Sequence, residues 1–139
     1  MKILTKLTIA LAIGMTCASA TFADTTSPVG YWQVSTYHEP GGTPFTTQMV
    51  CLQPGNTWYS TTQHAWNGDW FQNGSLVQWY GNVPVGSITL ATIGMGQLTT
   101  ATTMSGEYAE WSTPQTPLSW DRHSTYVMVF QGAACPAPA

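Results

Sequence analysis

Three residues near the C-terminus have the types required for nucleophilic catalysis. Asp121, His123 and Ser124 match the acid, base and nucleophile of a Ser-His-Asp triad by type. They are close neighbours on one extended segment, however, and successive side chains of a strand point to opposite faces. The three side chains therefore cannot align as a triad. A polar turn before a last strand is the interpretation we favour.

Other candidate sites also lack the geometry that their chemistry needs. Glu107 and Glu110 are three residues apart, which on a strand places them on opposite faces, so they are not predicted to act as a catalytic carboxylate pair. His38 and His64 lack the ligand spacing of a zinc site. Gly94-Met95-Gly96 lacks the helix that follows a phosphate-binding loop. The sequence therefore predicts a protein that is not an enzyme and uses no metal or cofactor.

Aromatic residues are the most abundant candidates for binding, with 7 Trp and 6 Tyr. Adjacent rings, as in Trp70-Phe71 and Trp79-Tyr80, point to opposite faces of a strand, so one ring of each pair is expected on the surface. Exposed rings beside Asn and Gln suit a glycan or a partner protein. Packing between rings across strands is the alternative that stays open. The residues predicted to bind a ligand or partner are Trp58, Trp70, Trp79, Tyr80 and Trp111.

The first 23 residues are predicted to be an export signal. Lys2 and Lys6 precede an uncharged apolar run over residues 7–15, which is too short to span a bilayer. Small residues follow, with Ala18-Ser19-Ala20 or Thr21-Phe22-Ala23 as the cleavage site, and cleavage after Ala23 is favoured. Residues 24–139 would then form one domain, exported to the periplasm or secreted.

Charge excludes two classes of partner for this domain. After cleavage, Arg122 is the one Lys or Arg left, against six carboxylates, a formal net charge of −5. Binding nucleic acid requires several cationic side chains to neutralise phosphates. Docking on anionic lipid has the same requirement. We therefore expect no nucleic-acid partner and no membrane insertion of the mature chain.

Two cysteines remain after cleavage, Cys51 and Cys135, and in an oxidising compartment we expect them to form a disulfide. The bond would close a loop of more than 80 residues. The residues after Cys135 are expected to form a loose, extended tail.

Period-two alternation and turn signals recur along the mature chain, and helical periodicity is absent from it. Asn73-Gly74, between aromatic strands, has the residue types of a two-residue type I′ hairpin turn. Gly94-Met95-Gly96 is expected to end a strand. The eight predicted strands cover residues 29–37, 45–52, 57–63, 69–72, 75–80, 87–93, 97–111 and 125–130.

Eight strands joined by short links predict an all-β, antiparallel up-and-down meander whose edges pair to close a barrel. A β-sandwich is the alternative fold. The cysteines offer a test, because Cys51 ends the second strand and Cys135 follows the eighth. With an even number of strands both lie at the same end, and closure brings them within reach of a disulfide.

Two segments resemble calycin-type proteins, the lipocalin and avidin-like barrels. Gly30-Tyr31-Trp32 is similar to the Gly-x-Trp that opens their first strand, and residues 103–108 are similar to a late avidin-type strand. The resemblance implies a barrel with Trp32 plugging one end and a ligand cavity at the other. In lipocalins a basic residue at the end of the last strand stacks on that Trp, whereas here Gln131 occupies the corresponding place and Arg122 precedes the strand.

Two functions are consistent with these features. The first is an exported, non-catalytic protein that binds a small apolar or amphipathic molecule inside the barrel. The second is an interaction protein whose outer surface binds a glycan or inhibits a secreted or periplasmic enzyme, with Trp70, Trp79 and Trp111 at the interface. A filled barrel interior would favour the second.

Overall fold

The computed structural model describes residues 26–38, 41–113 and 122–139. The predicted export signal and Asp121 lie outside these residues. In the described part no helix is long or apolar enough to cross a membrane. Its regular structure consists of eight strands: β1 (Gly30–Tyr37), β2 (Thr46–Leu52), β3 (Thr57–Ser60), β4 (Asn67–Asn73), β5 (Leu76–Val85), β6 (Ile88–Thr100), β7 (Thr103–Thr113) and β8 (Arg122–Gly132).

The strands form a closed antiparallel barrel in chain order. Each strand pairs with the next, and β1 also pairs with β8, with Gln33 opposite Val129 and Thr36 opposite Tyr126. Closure leaves no strand of the barrel with an unpaired edge, which removes the usual site of edge-to-edge aggregation. The predicted all-β meander and barrel are confirmed, and the alternative sandwich is wrong.

Alternation of side chains along each strand separates the interior from the outer wall. In β1 every second residue is buried, and β5 alternates between exposed and buried residues over most of its length. One hydrophobic cluster fills the centre of the barrel. Its buried members are Trp32, Val34, Val50, Leu52, Trp58, Trp70, Val77, Trp79, Leu98, Met104, Tyr108, Tyr126 and Met128.

Trp32 is buried near one end of the barrel, close to the start of β1. Its side chain is 0% exposed, and its indole Nε1 donates a hydrogen bond of 2.7 Å to the carbonyl of Pro28. The ring packs edge-to-face on Phe130, with centroids 5.2 Å apart. Gly30 has a φ of +139°, and a Cβ there would overlap the Phe130 ring, so this strand opening requires glycine.

The disulfide between Cys51 and Cys135 is present, with Cα atoms 5.7 Å apart. The expectation of a loose tail is wrong. The hydroxyl of Tyr59 donates to the carbonyl of Pro136 over 2.7 Å, and Nδ1 of His64 lies 2.7 Å from the backbone oxygen of Ala139. The chain after Cys135 is therefore held against the segment that contains β3 and the following loop.

The boundary between β6 and β7 differs from the prediction. Gly94 and Gly96 lie within β6, which continues to Thr100, and the turn lies at residues 101–102. The glycines do not break the strand. They make room, because a Cβ at Gly94 would overlap the Trp79 ring and one at Gly96 would overlap the Tyr126 hydroxyl. The true turn was missed because it contains no Gly or Pro.

The hairpin between β4 and β5 was predicted correctly, but its turn is shifted by one residue. Asn73 pairs with Leu76, so the two turn residues are Gly74 and Ser75. Gly74 has a φ of +62°, whereas Asn73 and Ser75 do not have positive φ. Glycine at the first turn position is the signature of a type II′ turn, so the predicted type I′ turn at Asn73-Gly74 is wrong.

Removing the disulfide should destabilise the barrel. We expect the double variant C51S/C135S to lose about 4 kcal/mol of unfolding free energy, because the bond limits the unfolded chain across 84 residues. Urea denaturation measures the change, and reduced wild-type protein serves as the matched comparison. A variant with the wild-type unfolding midpoint would contradict the expectation.

The space at Gly94 can be tested by adding one methyl group. Gly94→Ala should lower the unfolding free energy by about 1–3 kcal/mol, because the Trp79 ring must move within a packed core. Gly55→Ala is the control, since no atom lies within 4 Å of a Cβ there, and its effect should stay within about 0.5 kcal/mol. Equal unfolding free energies of the two variants would show that the core accommodates the added methyl group without a measurable cost.

Candidate functional site

The barrel separates the five predicted binding residues into inner and outer positions. Trp58, Trp70 and Trp79 point inward and are 2%, 5% and 3% exposed. Tyr80 lies on the outer wall and is 40% exposed, while Trp111 on β7 is half-buried. The hypothesis that Trp70 and Trp79 carry binding on the outer surface is therefore wrong about their position, because both rings belong to the core.

The indole groups show why the tryptophans occupy the interior. Nε1 of Trp58 donates to the carbonyl of Tyr80 over 2.8 Å, and Nε1 of Trp70 donates to the carbonyl of Gln53 over 3.0 Å. Burying the larger ring of each adjacent pair removes more apolar surface from water, and these hydrogen bonds satisfy the polar atom that comes with it. The smaller neighbour in each pair is left outside.

Trp79 lies at the centre of the aromatic packing. Its ring is 5.2 Å from the ring of Trp58, 5.6 Å from that of Tyr126 and 5.8 Å from that of Tyr108, measured between centroids. Rings from four strands thus occupy the middle of the barrel. This part of the interior is filled by side chains.

The end of the barrel opposite Trp32 has a polar interior. Within the described residues, two buried atoms there have no hydrogen-bond partner, Oε1 of Gln48 and Oγ of Ser124. An unpaired buried polar atom costs about 1–3 kcal/mol, so each of these positions suits a water molecule or a polar ligand. The buried polar residues of the chain's described part are Thr36, Gln48, Ser60, Thr92 and Ser124.

A short polar chain reaches the same end of the barrel. The hydroxyl of Tyr108 donates to Oε2 of Glu110 over 2.7 Å, and Oε1 of Glu110 lies 3.9 Å from the guanidinium of Arg122. Arg122 also lies over the ring of Phe45, 4.6 Å from its centroid. Burial, reinforced by the Glu110 carboxylate, raises the pKa of Tyr108, so its hydroxyl remains a proton donor.

Among the residues that the structure describes, the groups with catalytic potential do not converge. Ser124 is buried inside the barrel, whereas His123 points outward with 61% of its side chain exposed. Glu110 is 15% exposed on the inner side, whereas Glu107 is 67% exposed on the outer wall. Over residues 26–38, 41–113 and 122–139, no three His, Cys, Asp or Glu side chains form a group that could hold a metal ion.

The outer wall of β4, β5 and β6 carries four large exposed apolar side chains. Phe71, Leu76, Tyr80 and Met95, which we name the outer patch, are 50%, 60%, 40% and 55% exposed. They are neighbours across the strands, because Gln78 of β5 lies opposite both Phe71 and Met95. The rings of Phe71 and Tyr80 stack with centroids 5.9 Å apart.

A depression of about 630 Å³ opens beside the outer patch. Phe71, Leu76 and Met95 contribute apolar walls, and amide side chains and Glu107 form much of the rim. Two smaller depressions of about 530 and 220 Å³ also border Glu107, so the hollow surface continues on the other side of this carboxylate. The polar lining of the largest depression comprises Gln72, Asn73, Gln78, Gln97, Ser105 and Glu107.

Sequence reasoning identified Tyr80 but missed Phe71, Leu76 and Met95. Alternation along the strands could have identified these three residues, because each is adjacent to a position that faces inward. Phe71 follows Trp70, Leu76 precedes Val77, and Met95 lies between Gly94 and Gly96. The pairs of neighbouring rings do point to opposite faces as expected. Alternation does not show, however, which of two adjacent rings faces inward.

High pH should destabilise the barrel through its buried phenols. Burial raises the pKa of Tyr126 and of Tyr108 above the ordinary value of 10.0, so the folded protein holds these protons more tightly than the unfolded chain. Stability is then complete below pH 10.0 and falls as pH rises above it. Urea unfolding from about pH 8 to about pH 11 should show the decline. Tyr126→Phe should make it less steep, and a flat profile would contradict the assignment.

Comparison with protein-family models, with curated proteins and with solved structures found no match to this chain. The geometry of the barrel and of its two candidate surfaces is therefore the basis for assigning a function.

Proposed function

We propose that the chain is an exported, non-catalytic binding protein that captures its partner on the outer patch. The observation that carries the proposal is the contrast between a barrel centre filled by aromatic rings and the four exposed apolar side chains of the outer patch. Contiguous exposed apolar surface rimmed by polar residues is typical of interaction sites. Large side chains at the centre of such a surface supply most of the binding energy.

The packed centre argues against an apolar molecule deep in the barrel. Trp79 contacts rings from three other strands, and one of these, Tyr126, is 1% exposed and contacts the sulfur of the fully buried Met104. A ligand entering this region would have to displace side chains from a close-packed core. The outer patch needs no such rearrangement, since its side chains are already accessible.

A second candidate function is binding of a small polar molecule at the end of the barrel opposite Trp32. The specific observation in its favour is the pair of unpartnered buried atoms, Oε1 of Gln48 and Oγ of Ser124. Their chemistry favours a polar ligand over the apolar or amphipathic one expected from the sequence. Under this candidate, the calycin resemblance would extend from architecture to the place of binding.

The disulfide and the charge support an exported site of action. Disulfides persist in oxidising compartments such as the periplasm or the extracellular space. Arg122 is the one Lys or Arg in the described part of the chain, which disfavours a nucleic acid or an anionic membrane as the partner. A glycan and a secreted or periplasmic protein both remain compatible with the outer patch.

The proposal is tested by changing the outer patch without changing the core. The double variant L76S/M95S should capture the partner from a native extract at least about ten-fold more weakly, because truncating central interface residues costs about 1–2 kcal/mol each. Val129→Ser is the matched control, since Val129 is 45% exposed on a different part of the outer wall. Both proteins should unfold at the same urea concentration.

One result would overturn the proposal in favour of the second candidate. If L76S/M95S retains full capture while Gln48→Ala and Ser124→Ala lose it, binding takes place inside the barrel and the second candidate replaces the first.

A further inference from the structure

We infer that the outer patch recognises a cationic amphipathic segment of a partner protein, in which an apolar side chain enters the depression while a Lys or Arg beside it pairs with Glu107 or Asp69. The inference rests on the proposed function and adds the chemical class of the partner. Three features carry it: the charges at the edges of the patch, the exposed rings and the nature of the depression.

Carboxylates flank the outer patch on both sides. Glu107 of β7 lies opposite Met95, and its side chain is 67% exposed. Asp69 of β4 lies opposite Tyr80 at the other edge. A cation of the partner would therefore meet a negative charge at the β4 side or at the β7 side of the patch. Charge complementarity of this kind guides encounter and fixes orientation at an interface.

Positive charge is absent from the lining of the depression. None of its lining residues is Lys, Arg or His. The guanidinium of Arg122 lies near Glu110 and the Phe45 ring, away from the outer patch. Nε2 of His123 lies 3.6 Å from Glu107, and its ring is the nearest group that would share this carboxylate with a partner's cation.

The exposed rings strengthen the preference for a cation. Phe71 and Tyr80 stack side by side at the surface, and the face of an aromatic ring attracts ammonium and guanidinium groups. Asp69 interacts with the Tyr80 hydroxyl, so a Lys or Arg over the Tyr80 ring would also lie close to this carboxylate. An anionic partner would be repelled at both edges of the patch.

The depression favours a peptide segment over a glycan. Its volume of about 630 Å³ falls in the range of about 300–1,000 Å³ that is typical of ligand pockets, so it can accept several side-chain groups. Leu76 and Met95 present flexible aliphatic surface there, which suits an apolar side chain. The hydroxyl groups of a sugar would lose water against Leu76 and Met95 and would gain hydrogen-bond partners at the polar rim alone.

The test uses three capped synthetic peptides that share an apolar centre: acetyl-Lys-Leu-Phe-Lys-amide and its Ser-Leu-Phe-Ser and Glu-Leu-Phe-Glu counterparts. Each is titrated into the isotope-labelled mature protein, and the backbone amide signals of Gln78 and Met95 are followed by NMR. The Lys peptide should bind about three- to five-fold more tightly than the Ser peptide, and the Glu peptide more weakly than both. Raising the salt concentration should reduce the difference.

Two variants test whether the preference for the Lys peptide comes from the carboxylate of Glu107. Glu107→Gln should bring the Lys peptide close to the affinity of the Ser peptide while leaving the Ser peptide unchanged. Val129→Ser should alter neither. A loss of affinity for all three peptides in Glu107→Gln would reflect a disturbed patch and would count against the charge assignment.

Failure of this inference is distinguishable from failure of the proposed function. If the three peptides bind the outer patch equally, or if none of them shifts its signals, the cationic segment is overturned. The proposed function would still stand if L76S/M95S abolishes capture from native extract. A glycan array that reports sugar binding dependent on Leu76 and Met95 would replace the peptide with a glycan.

Discussion

Hydrogen-bonded pairing of β1 with β8 is the constraint on which the rest of the structure depends. Without it, the eight strands would form an open sheet with two unpaired edges and two accessible faces. With it, each strand has one face toward a closed interior, and alternation decides the environment of every side chain. Closure also brings the end of β2 next to the chain that follows β8, and so places Cys51 and Cys135 within bonding distance.

A barrel of eight strands has limited interior space. The side chains that do not fit inside lie on the outer wall. In Trp70-Phe71 and Trp79-Tyr80 the indole is inside and the smaller ring is outside. The glycines of β6 follow from the same competition, since the Trp79 ring occupies the space that a side chain at Gly94 would need. The exposed outer patch is therefore a consequence of a core already filled by tryptophan, and its apolar side chains have no place in the interior.

The sequence was sufficient for the global features of the fold, because these depend on patterns that extend over many residues. Strand number, antiparallel order, closure and the disulfide follow from alternation and from the parity of the strand count. Local register was less accessible, because glycine has two uses: at Gly74 it provides positive φ in a turn, and at Gly94 and Gly96 it makes room for inward rings. Those roles cannot be separated until the cross-strand neighbours are known. Phe71, Leu76 and Met95 were missed because alternation along a strand does not show which of two neighbouring side chains faces inward.

The polar end of the barrel and the outer patch differ in how favourable it is to release water from them when a partner binds. At the polar end of the barrel, unpartnered atoms of Gln48 and Ser124 are sites that water can occupy, so a ligand there must displace water from good hydrogen-bonding positions. On the outer patch, water contacts Phe71, Leu76 and Met95, and releasing it is favourable for any complementary apolar group. A closed sheet offers no edge for strand addition, so recognition must use side chains. The exposed side chains on that wall are apolar around the central Gln78 and acidic at the borders, and we propose that this arrangement selects the partner.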